Sequence, residues 1–222
     1  MANKKSSFFR RNGLSLVLVG LLLASWFGQV LTGQHEFNER QTEHGAATVN
    51  VGRYLLSGHF VQATFENWES EFFQMTVYVW LTIFLRQQGS SESKSLEEEE
   101  EVDREPQPGP DAPWPVQRGG LWLLLYKNSL SLVLLLLFVV SFWLHALGSH
   151  RDYNLEQELK QQPVISFAEY LGSSRLWFES FQNWQSEFLA VATIVVLSIF
   201  LRQKGSPQSK PVDAPDEQTG SS

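Results

Sequence analysis

The sequence has no cysteine in its 222 residues. A disulfide framework, a thiolate nucleophile and a cysteine-based zinc site are therefore excluded. The chain also lacks a phosphate-binding glycine loop, a dinucleotide-binding fingerprint and a Ser/His/Asp nucleophile arrangement. No basic stripe or aromatic platform indicates nucleic acid as a partner. These absences predict a protein that is not an enzyme, has no cofactor and does not bind nucleic acid.

The five histidines are the remaining candidate metal ligands. The nearest groupings are His145 and His150 with Asp152, or His35 with His44. Neither grouping follows the spacing of an established metal-ligand motif. We therefore predict no metal site.

Acidic charge is concentrated in one stretch of the chain. Residues 87–117 contain nine acidic and two basic side chains, which equals the net charge of −7 of the whole protein. This stretch is rich in proline and nearly free of aliphatic side chains, so it cannot bury enough apolar surface to fold alone. We predict a disordered cytoplasmic linker at 87–117, which a cytoplasmic protein partner would bind, and a disordered tail at 205–222.

Apolar residues make up 43% of the chain and are gathered into blocks. Residues 14–31 and 130–147 are two uncharged runs of 18 residues each, near the length that crosses the hydrocarbon of a bilayer as a helix. We predict transmembrane helices at about 13–32 and 121–147. The first run is too long for a signal peptide, lacks a clean A-x-A cleavage site and has a copy inside the chain, so we expect it to be retained.

The chain aligns with itself at an offset of 116 residues. NGLSLVL at 12–18 then matches NSLSLVL at 128–134, and 31 of 83 positions are identical without a gap. Such self-similarity indicates a tandem duplication. The predicted fold class is an all-α membrane protein with four transmembrane helices, arranged as two copies of a two-helix unit at 1–86 and 118–204.

The second helix of each unit has a short apolar segment. Phe72 to Leu85 is 14 residues, which covers about 21 Å as a helix, whereas a span needs about 20 residues. The helix must therefore draw the preceding FENWESEF (65–72) into the bilayer, and FQNWQSEF (181–188) in the copy. We predict spans at about 63–86 and 177–202.

Lysine and arginine in short loops set the orientation. With four spans, eleven basic residues fall on the side of both termini and five on the other, so both termini are predicted to be cytoplasmic. Two spans per unit give the units the same orientation, related by a pseudo-two-fold axis along the membrane normal. The eleven are Lys4, Lys5, Arg10, Arg11, Arg86, Lys94, Arg118, Lys127, Arg202, Lys204 and Lys210, and the five are Arg40, Arg53, Arg151, Lys160 and Arg175.

One face of the second helix is polar along its length. At 100° per residue its members lie within about 80° of one another. In the copy the outer Asn/Glu pair and the hydroxyl persist, while the middle is apolar. The stripe is Asn67, Glu71, Gln74, Tyr78 and Thr82, and its copy is Asn183, Glu187, Ala190, Ile194 and Ser198.

Helix depth suggests partners for the two glutamates. Gln29 and Glu71 lie at the same predicted depth in the bilayer, as do His145 and Glu187. We therefore expect a side-chain hydrogen bond within each pair. Two interpretations stay open: these groups hold helices together, or they form a vestibule that binds protons or cations. The candidate vestibule is Asn67, Glu71, Asn183, Glu187, Gln29 and His145.

Three smaller patterns carry predictions. Gly20, Ala24 and Gly28 form a small-residue ridge that packs a neighbouring span or mediates a homodimer. SFAE at 166–169 has the form of a capping box, with Gly172 ending the short helix and the following serines capping the next one. The predicted interfacial anchors in contact with the lipid bilayer are Trp68, Trp184, Trp114 and Trp177.

The two FxNWxSEF stretches, each followed by FLRQxGSxxSK, and DAPWPV at 111–116 resemble a bacterial membrane-protein family known as a domain of unknown function. The resemblance implies four spans in the bacterial cytoplasmic membrane and brings no activity. We therefore expect a small non-enzymatic integral membrane protein with a structural or partner-binding role in the bacterial envelope. The alternative is a proton- or cation-handling transport or channel component.

Overall fold

The described part of the chain is helical. The computed structural model describes residues 7–97 and 99–220, which contain no strand. The predicted all-α class is therefore confirmed for these residues, and a 3-10 turn covers Glu101–Asp103. The helices are α1 (Phe8–Glu43), α2 (Val51–Tyr54), α3 (Gly58–Phe84), α4 (Trp114–Arg118), α5 (Gly120–Lys127), α6 (Ser129–Leu159), α7 (Phe167–Leu171) and α8 (Ser174–Phe200).

Three of these helices, α1, α6 and α8, are long and apolar enough to cross a membrane. Such helices suggest a membrane protein, as the sequence predicted. Helix α3 is 27 residues long, as α8 is, but it is not among the helices that are apolar enough to cross a membrane by composition. The reason is the polar stripe, because Gln74 and Tyr78 stand where α8 has Ala190 and Ile194.

The helices differ in extent from the predicted spans. The predicted span 121–147 is interrupted, because α5 ends at Lys127 and α6 begins at Ser129. At their other ends α1 and α6 continue beyond the predicted limits of 32 and 147. In α1 this extension buries Phe37 and Gln41, so it has a packing role that a hydropathy window does not register.

The chain forms two compact units, and each draws residues from both predicted two-span units. The first contains residues up to Thr64 together with Leu144–Gly172, and the second contains Phe65–Trp143 together with the chain from Ser173 onward. Helices α3 and α6 each contribute to both. We call these unit 1 and unit 2.

Tyr54 is the centre of the apolar core of unit 1. It is fully buried, with its ring centroid 5.8 Å from that of Phe37 and 5.6 Å from that of Phe60. Its hydroxyl lies 3.1 Å from His59 Nδ1, and burial is the main cause that raises the pKa of Tyr54 to about 12. Gly33 makes room for this ring, since a Cβ there would lie 2.2 Å from the Tyr54 hydroxyl.

The start of α3 crosses α6 at two glycines in unit 1. A Cβ on Gly58 would lie 2.6 Å from the Gly148 carbonyl oxygen, and one on Gly148 would lie 2.5 Å from the Gln62 nitrogen. The backbones thus approach more closely than any side chain would allow. Beside this crossing Arg40 binds the buried carboxylate of Asp152 through both of its terminal nitrogens.

Two asparagines hold the chain between the long and short helices of unit 1. The Asn38 amide donates to the Val49 carbonyl at 2.9 Å and accepts from the Val49 N–H at 2.7 Å. Asn154 makes the same two bonds with Ile165, at 3.0 and 3.1 Å. These pairs are again 116 residues apart, as the alignment of Asn38 with Asn154 requires.

The predicted capping box at 166–169 is confirmed. The Ser166 hydroxyl accepts from the Glu169 N–H, and the Glu169 carboxylate accepts from the Ser166 N–H. Gly172 ends α7, and Ser173 caps α8 by accepting from the Leu176 N–H. Local rules of helix capping thus hold at this turn.

In unit 2, the repeated FLRQxGSxxSK motif forms the same loop after α3 and after α8. The Arg86 guanidinium folds back onto the last carbonyls of α3, as Arg202 does on α8. The Ser93 hydroxyl then accepts from the Gln87 N–H at 2.9 Å, and Ser209 accepts from Gln203 at 2.8 Å. The motif therefore caps two helix C-termini with side chains.

The C-terminal tail lies against the loop that follows α3. The Gly89 N–H donates to the Thr219 hydroxyl at 2.9 Å, and the Gly220 N–H donates to the Ser90 carbonyl at 3.0 Å. Ser90 Oγ lies 2.9 Å from Ser198 Oγ in α8. The sequence predicted a disordered linker and tail here, whereas the structure gives both segments specific hydrogen bonds.

The two loop glycines make a matched pair for mutation. Gly89 and Gly205 have φ of +83° and +86°, but a Cβ on Gly89 would lie 2.4 Å from the Asp216 carbonyl oxygen, while Gly205 faces open space. Gly205→Ala should lower the free energy of unfolding by about 1 kcal/mol through backbone strain alone, and Gly89→Ala should lower it by more. Thermal unfolding of the two variants in detergent measures the difference. Equal shifts would mean that the tail does not rest on Gly89.

Candidate polar site between helices α3 and α8

Two glutamates in the N-terminal half of α3 bond to α8 within unit 2. Glu66 accepts a hydrogen bond from the Asn183 side-chain amide. Glu69 is fully buried and accepts from the Trp184 indole N–H at 2.9 Å. Both contacts join α3 to α8, and both donors, Asn183 and Trp184, belong to the NW of the second motif.

Glu71 and Glu187 form a carboxyl pair one turn further along. The Glu187 side chain lies close to that of Glu71. An ionised carboxylate only accepts hydrogen bonds, so a bond between two carboxyls requires one proton. The structure therefore brings together the two glutamates of the predicted vestibule, in an arrangement that can hold a proton.

The remaining vestibule residues have other surroundings. Asn67 is exposed on α3. In unit 1 the Gln29 amide donates to the Thr64 hydroxyl at 3.4 Å, where the sequence predicted Glu71 as its partner. His145 is completely buried in unit 1. The structure thus divides the predicted set between two units.

The inner part of the polar stripe lines a cavity in unit 2. Gln74 is buried, and below it Tyr78 and Thr82 line a cavity of about 710 Å³, which we call the chamber. Its other walls come from residues 91–94 and 100–106, with Lys127 and Gly220. The Tyr78 hydroxyl lies 3.4 Å from a carboxylate oxygen of Glu92, and burial raises the pKa of Glu92 despite this bond.

An apolar cavity adjoins the chamber. It measures about 410 Å³ and lies between α3 and α8, and we call it the groove. The groove and the chamber share four wall residues, Tyr78, Thr82, Glu92 and Ser93. A polar space and an apolar space therefore meet near the C-terminal ends of these helices.

The tryptophans predicted as interfacial anchors divide into two groups. Trp184 is partly buried and packs on Phe73, with ring centroids 4.5 Å apart, so it is a contact between helices rather than a simple anchor. Trp68, Trp114 and Trp177 are exposed, as an anchor requires. Aromatic content alone could not separate these roles, because both environments are apolar.

The small-residue ridge on α1 has no neighbour at its glycines. A Cβ on Gly20 or Gly28 would meet nothing within 4 Å. The expected packing of Gly20, Ala24 and Gly28 against a span of the same chain is therefore not found at these two glycines. The close helix crossing uses Gly58 and Gly148 instead, and the homodimer alternative stays a prediction.

The residues considered for a metal site have protein partners. Asp152 binds Arg40, and His150 Nε2 lies 2.8 Å from the Ile165 carbonyl oxygen. His44 Nδ1 lies 2.9 Å from the Arg40 carbonyl oxygen. Each contact belongs to the packing or capping of unit 1.

The sequence did not predict the bonds that Glu66 and Glu69 form with α8. These glutamates lie off the stripe that contains Asn67 and Glu71, and the copy has Gln182 and Gln185 in their place. The available signal was the repeated tryptophan, whose indole N–H needs an acceptor when buried. The sequence assigned it to the lipid interface instead.

Trp184 and Trp68 occupy equivalent positions and provide a controlled test. Trp184→Phe removes the donor to buried Glu69, so it should lower the free energy of unfolding by about 1 kcal/mol more than Trp68→Phe, whose ring is exposed. Denaturant titration of both variants in micelles measures this difference. If Trp68→Phe is as harmful as Trp184→Phe, the indole–carboxylate contact does not hold these helices.

No curated protein and no solved structure matches the chain. The family described as a domain of unknown function, DUF6766, matches residues 5–221. Since this match covers nearly all of the 222 residues, the chain belongs to the DUF6766 family.

Proposed function

We propose that this protein is a small non-enzymatic integral membrane protein with a structural or partner-binding role in the bacterial cytoplasmic membrane. It crosses the membrane four times, as a tandem duplication of a two-helix unit, with both termini in the cytoplasm. The spacing of equivalent elements supports the duplication: α3 is Gly58–Phe84 and α8 is Ser174–Phe200, with both ends offset by 116 residues.

The observation that carries the structural role is the bonding between α3 and α8. Glu66 and Glu69 are each bound by a side chain of α8. A buried carboxyl group is costly in a membrane unless another group meets it, and interhelical bonds of this kind stabilise membrane proteins by about 0.6 to 2 kcal/mol. The groups that a ligand would need are thus already engaged with each other.

The length of α3 supports a fourth span. Its 27 residues extend about 40 Å, which exceeds the hydrocarbon thickness of about 30 Å. Its polar stripe turns toward α8 at Glu66 and Glu69, which reduces the cost of placing those carboxyls in lipid. Arg86 then ends α3 at the inner boundary, as Arg202 ends α8.

Thiol labelling tests this topology directly, because the chain has no cysteine of its own. Single variants Thr48→Cys and Val164→Cys place a thiol in the two outer loops, and Glu99→Cys and Val212→Cys place one in the inner segments. A membrane-impermeant maleimide should label the first two in intact cells and the last two only after permeabilisation.

A three-span arrangement gives a different labelling pattern. If α3 did not cross, residues 48, 99 and 212 would all lie on one side of the membrane, since no span separates residues 48 and 99, and the two spans α6 and α8 separate residues 99 and 212. Labelling residues 48 and 99 from the same side would therefore contradict the proposal. Equal labelling of detergent-solubilised variants is the control for thiol reactivity.

The acidic inner segment supports binding of a cytoplasmic partner. Glu97 and Glu99 precede the 3-10 turn, Glu101 begins it, and all three are exposed. Like charges at this density repel one another and attract a basic surface. A cytoplasmic protein with a basic patch is the partner that this charge would recognise.

A second candidate function is proton or cation handling, and the Glu71–Glu187 pair favours it. The two carboxyls lie close together, and a pair of neighbouring carboxyls is a chemical arrangement that can bind a proton or a cation. Below them the buried Gln74 and the chamber wall at Tyr78 continue the polar stripe toward the inner side.

Reconstituted vesicles distinguish the two candidates. The full chain in vesicles with an internal pH dye should equilibrate a pH gradient faster than empty vesicles if the second candidate holds, and the double variant Glu71→Gln, Glu187→Gln should abolish this flux. The matched control is Glu43→Gln, Glu158→Gln, which removes two exposed carboxyls. Wild-type flux no faster than that of empty vesicles would eliminate transport and leave the structural role.

A further inference from the structure

The chamber and the groove together have the form of a site for an amphiphile. They lie side by side at the inner ends of α3 and α8 and share the wall formed by Tyr78, Thr82, Glu92 and Ser93. The groove volume of about 410 Å³ and the chamber volume of about 710 Å³ each fall within the range of about 300–1,000 Å³ that holds small molecules in proteins. One end of such a ligand would be polar and the other apolar.

The groove lining is aliphatic on both sides. Val77, Leu81 and Leu85 contribute from α3, and Val191, Ala192 and Val195 contribute from α8. Only Arg86, Gln87, Glu92 and Ser93, with Tyr78 and Thr82, bring polar atoms, and all lie toward the chamber side or the helix ends. Because these helices are the proposed second and fourth spans, the groove opens toward the hydrocarbon of the inner leaflet.

The chamber carries both signs of charge. Its acidic residues are Glu92, Glu100, Asp103 and Glu105, and its basic residues are Lys94, Arg104 and Lys127. Lys94 binds Asp103, and Glu100 accepts from the Ser95 N–H at 2.7 Å. Within residues 7–97 and 99–220, Arg104 and Lys127 form no salt bridge. Two cations and the carboxylate of Glu105 thus remain to meet a ligand that has both charges, and the carboxylate of Glu92 lies beside them with the Tyr78 hydroxyl as a partner.

We propose that the chamber and groove bind one phospholipid of the inner leaflet with a phosphoethanolamine headgroup. The phosphate binds Arg104 and Lys127, the primary ammonium donates to Glu92 and Glu105, and one acyl chain lies in the groove between α3 and α8. This inference rests on the proposed four-span arrangement, which puts Lys127 and the end of α3 at the level of lipid headgroups.

The charges of the chamber select among headgroups. Four acidic and three basic residues give the lining a net charge of −1, so a headgroup with a net negative charge meets more repulsion than a zwitterion. A primary ammonium has three N–H donors for carboxylates, whereas a trimethylated ammonium has none. Ethanolamine lipid is therefore preferred over glycerol and choline lipids with the same acyl chains.

Native mass spectrometry of the full chain in mild detergent tests this preference. The protein is titrated with phosphatidylethanolamine, phosphatidylglycerol or phosphatidylcholine that carry identical acyl chains. One phosphatidylethanolamine per chain should bind about tenfold more tightly than either other lipid, which corresponds to the loss of one charge-assisted hydrogen bond. Equal affinities for the three lipids would overturn the proposal.

Two matched pairs of variants locate the site. Ala192→Trp fills the groove and should abolish the preference, whereas Ala190→Trp makes the same change at an exposed position outside the groove and should not. Lys127→Gln should weaken phosphatidylethanolamine binding about tenfold, whereas Lys204→Gln, at an exposed lysine outside the chamber, should not. Unchanged binding in both Ala192→Trp and Lys127→Gln would contradict the assignment.

Competition by free phosphoethanolamine for the bound lipid distinguishes a site for a whole lipid from a site for its headgroup alone. If free phosphoethanolamine displaced the lipid at equal concentration, the groove would contribute nothing and the proposal would fail. Circular dichroism of each variant checks that it folds. If Ala192→Trp misfolds, Lys127→Gln still tests the site, because it adds no bulk. Thiol labelling reports the topology separately. If the labelling shows four spans but the protein has no lipid preference, this inference fails and the proposed topology stands.

Discussion

The structure depends on one constraint, which is that polar groups on a helix in lipid must be met by another helix. Helix α3 has glutamates at positions 66, 69 and 71, and in unit 2 each of these lies against a side chain of α8. Without those partners α3 would carry uncompensated carboxyls into hydrocarbon. With them, a segment that is too polar by composition becomes suited to span a membrane beside its own copy.

The same two helices are joined near their C-terminal ends by a different set of contacts. The FLRQxGSxxSK loop caps each C-terminus with an arginine and a serine, and the loop after α3 reaches α8 through Ser90 and Ser198. Between the two ends the copies diverge, because Gln74 and Tyr78 in α3 correspond to Ala190 and Ile194 in α8. Tyr78 lines both the chamber and the groove, whereas the groove residues that α8 contributes are all apolar.

Much of the helical framework was predictable because it follows local rules. The capping box at Ser166 and the equivalence of Asn38 and Asn154 both depend on short spacings that the sequence displays. The contact of Thr219 with Gly89 was not predictable, since it joins residues 130 positions apart. The interruption at Asn128 had a local signal, because Lys127, Asn128 and Ser129 are polar, but the predicted span of 121–147 included them. The bonding of Glu69 was missed because a helical stripe ranks residues by angle, while a long side chain such as Trp184 reaches across the helix surface.

The central claim is that α3 and α8 lie side by side, and a cysteine pair tests it most directly. Ser90 Oγ and Ser198 Oγ are 2.9 Å apart and both residues are buried, so Ser90→Cys with Ser198→Cys should form a disulfide in isolated membranes under mild oxidation. The measurement is loss of thiol labelling after denaturation, with Ser90→Cys and Ser186→Cys as the control because Ser186 is exposed higher on α8. Rapid oxidation of the first pair alone is the predicted result, and free thiols in that pair, or equal oxidation of the control, would contradict the account.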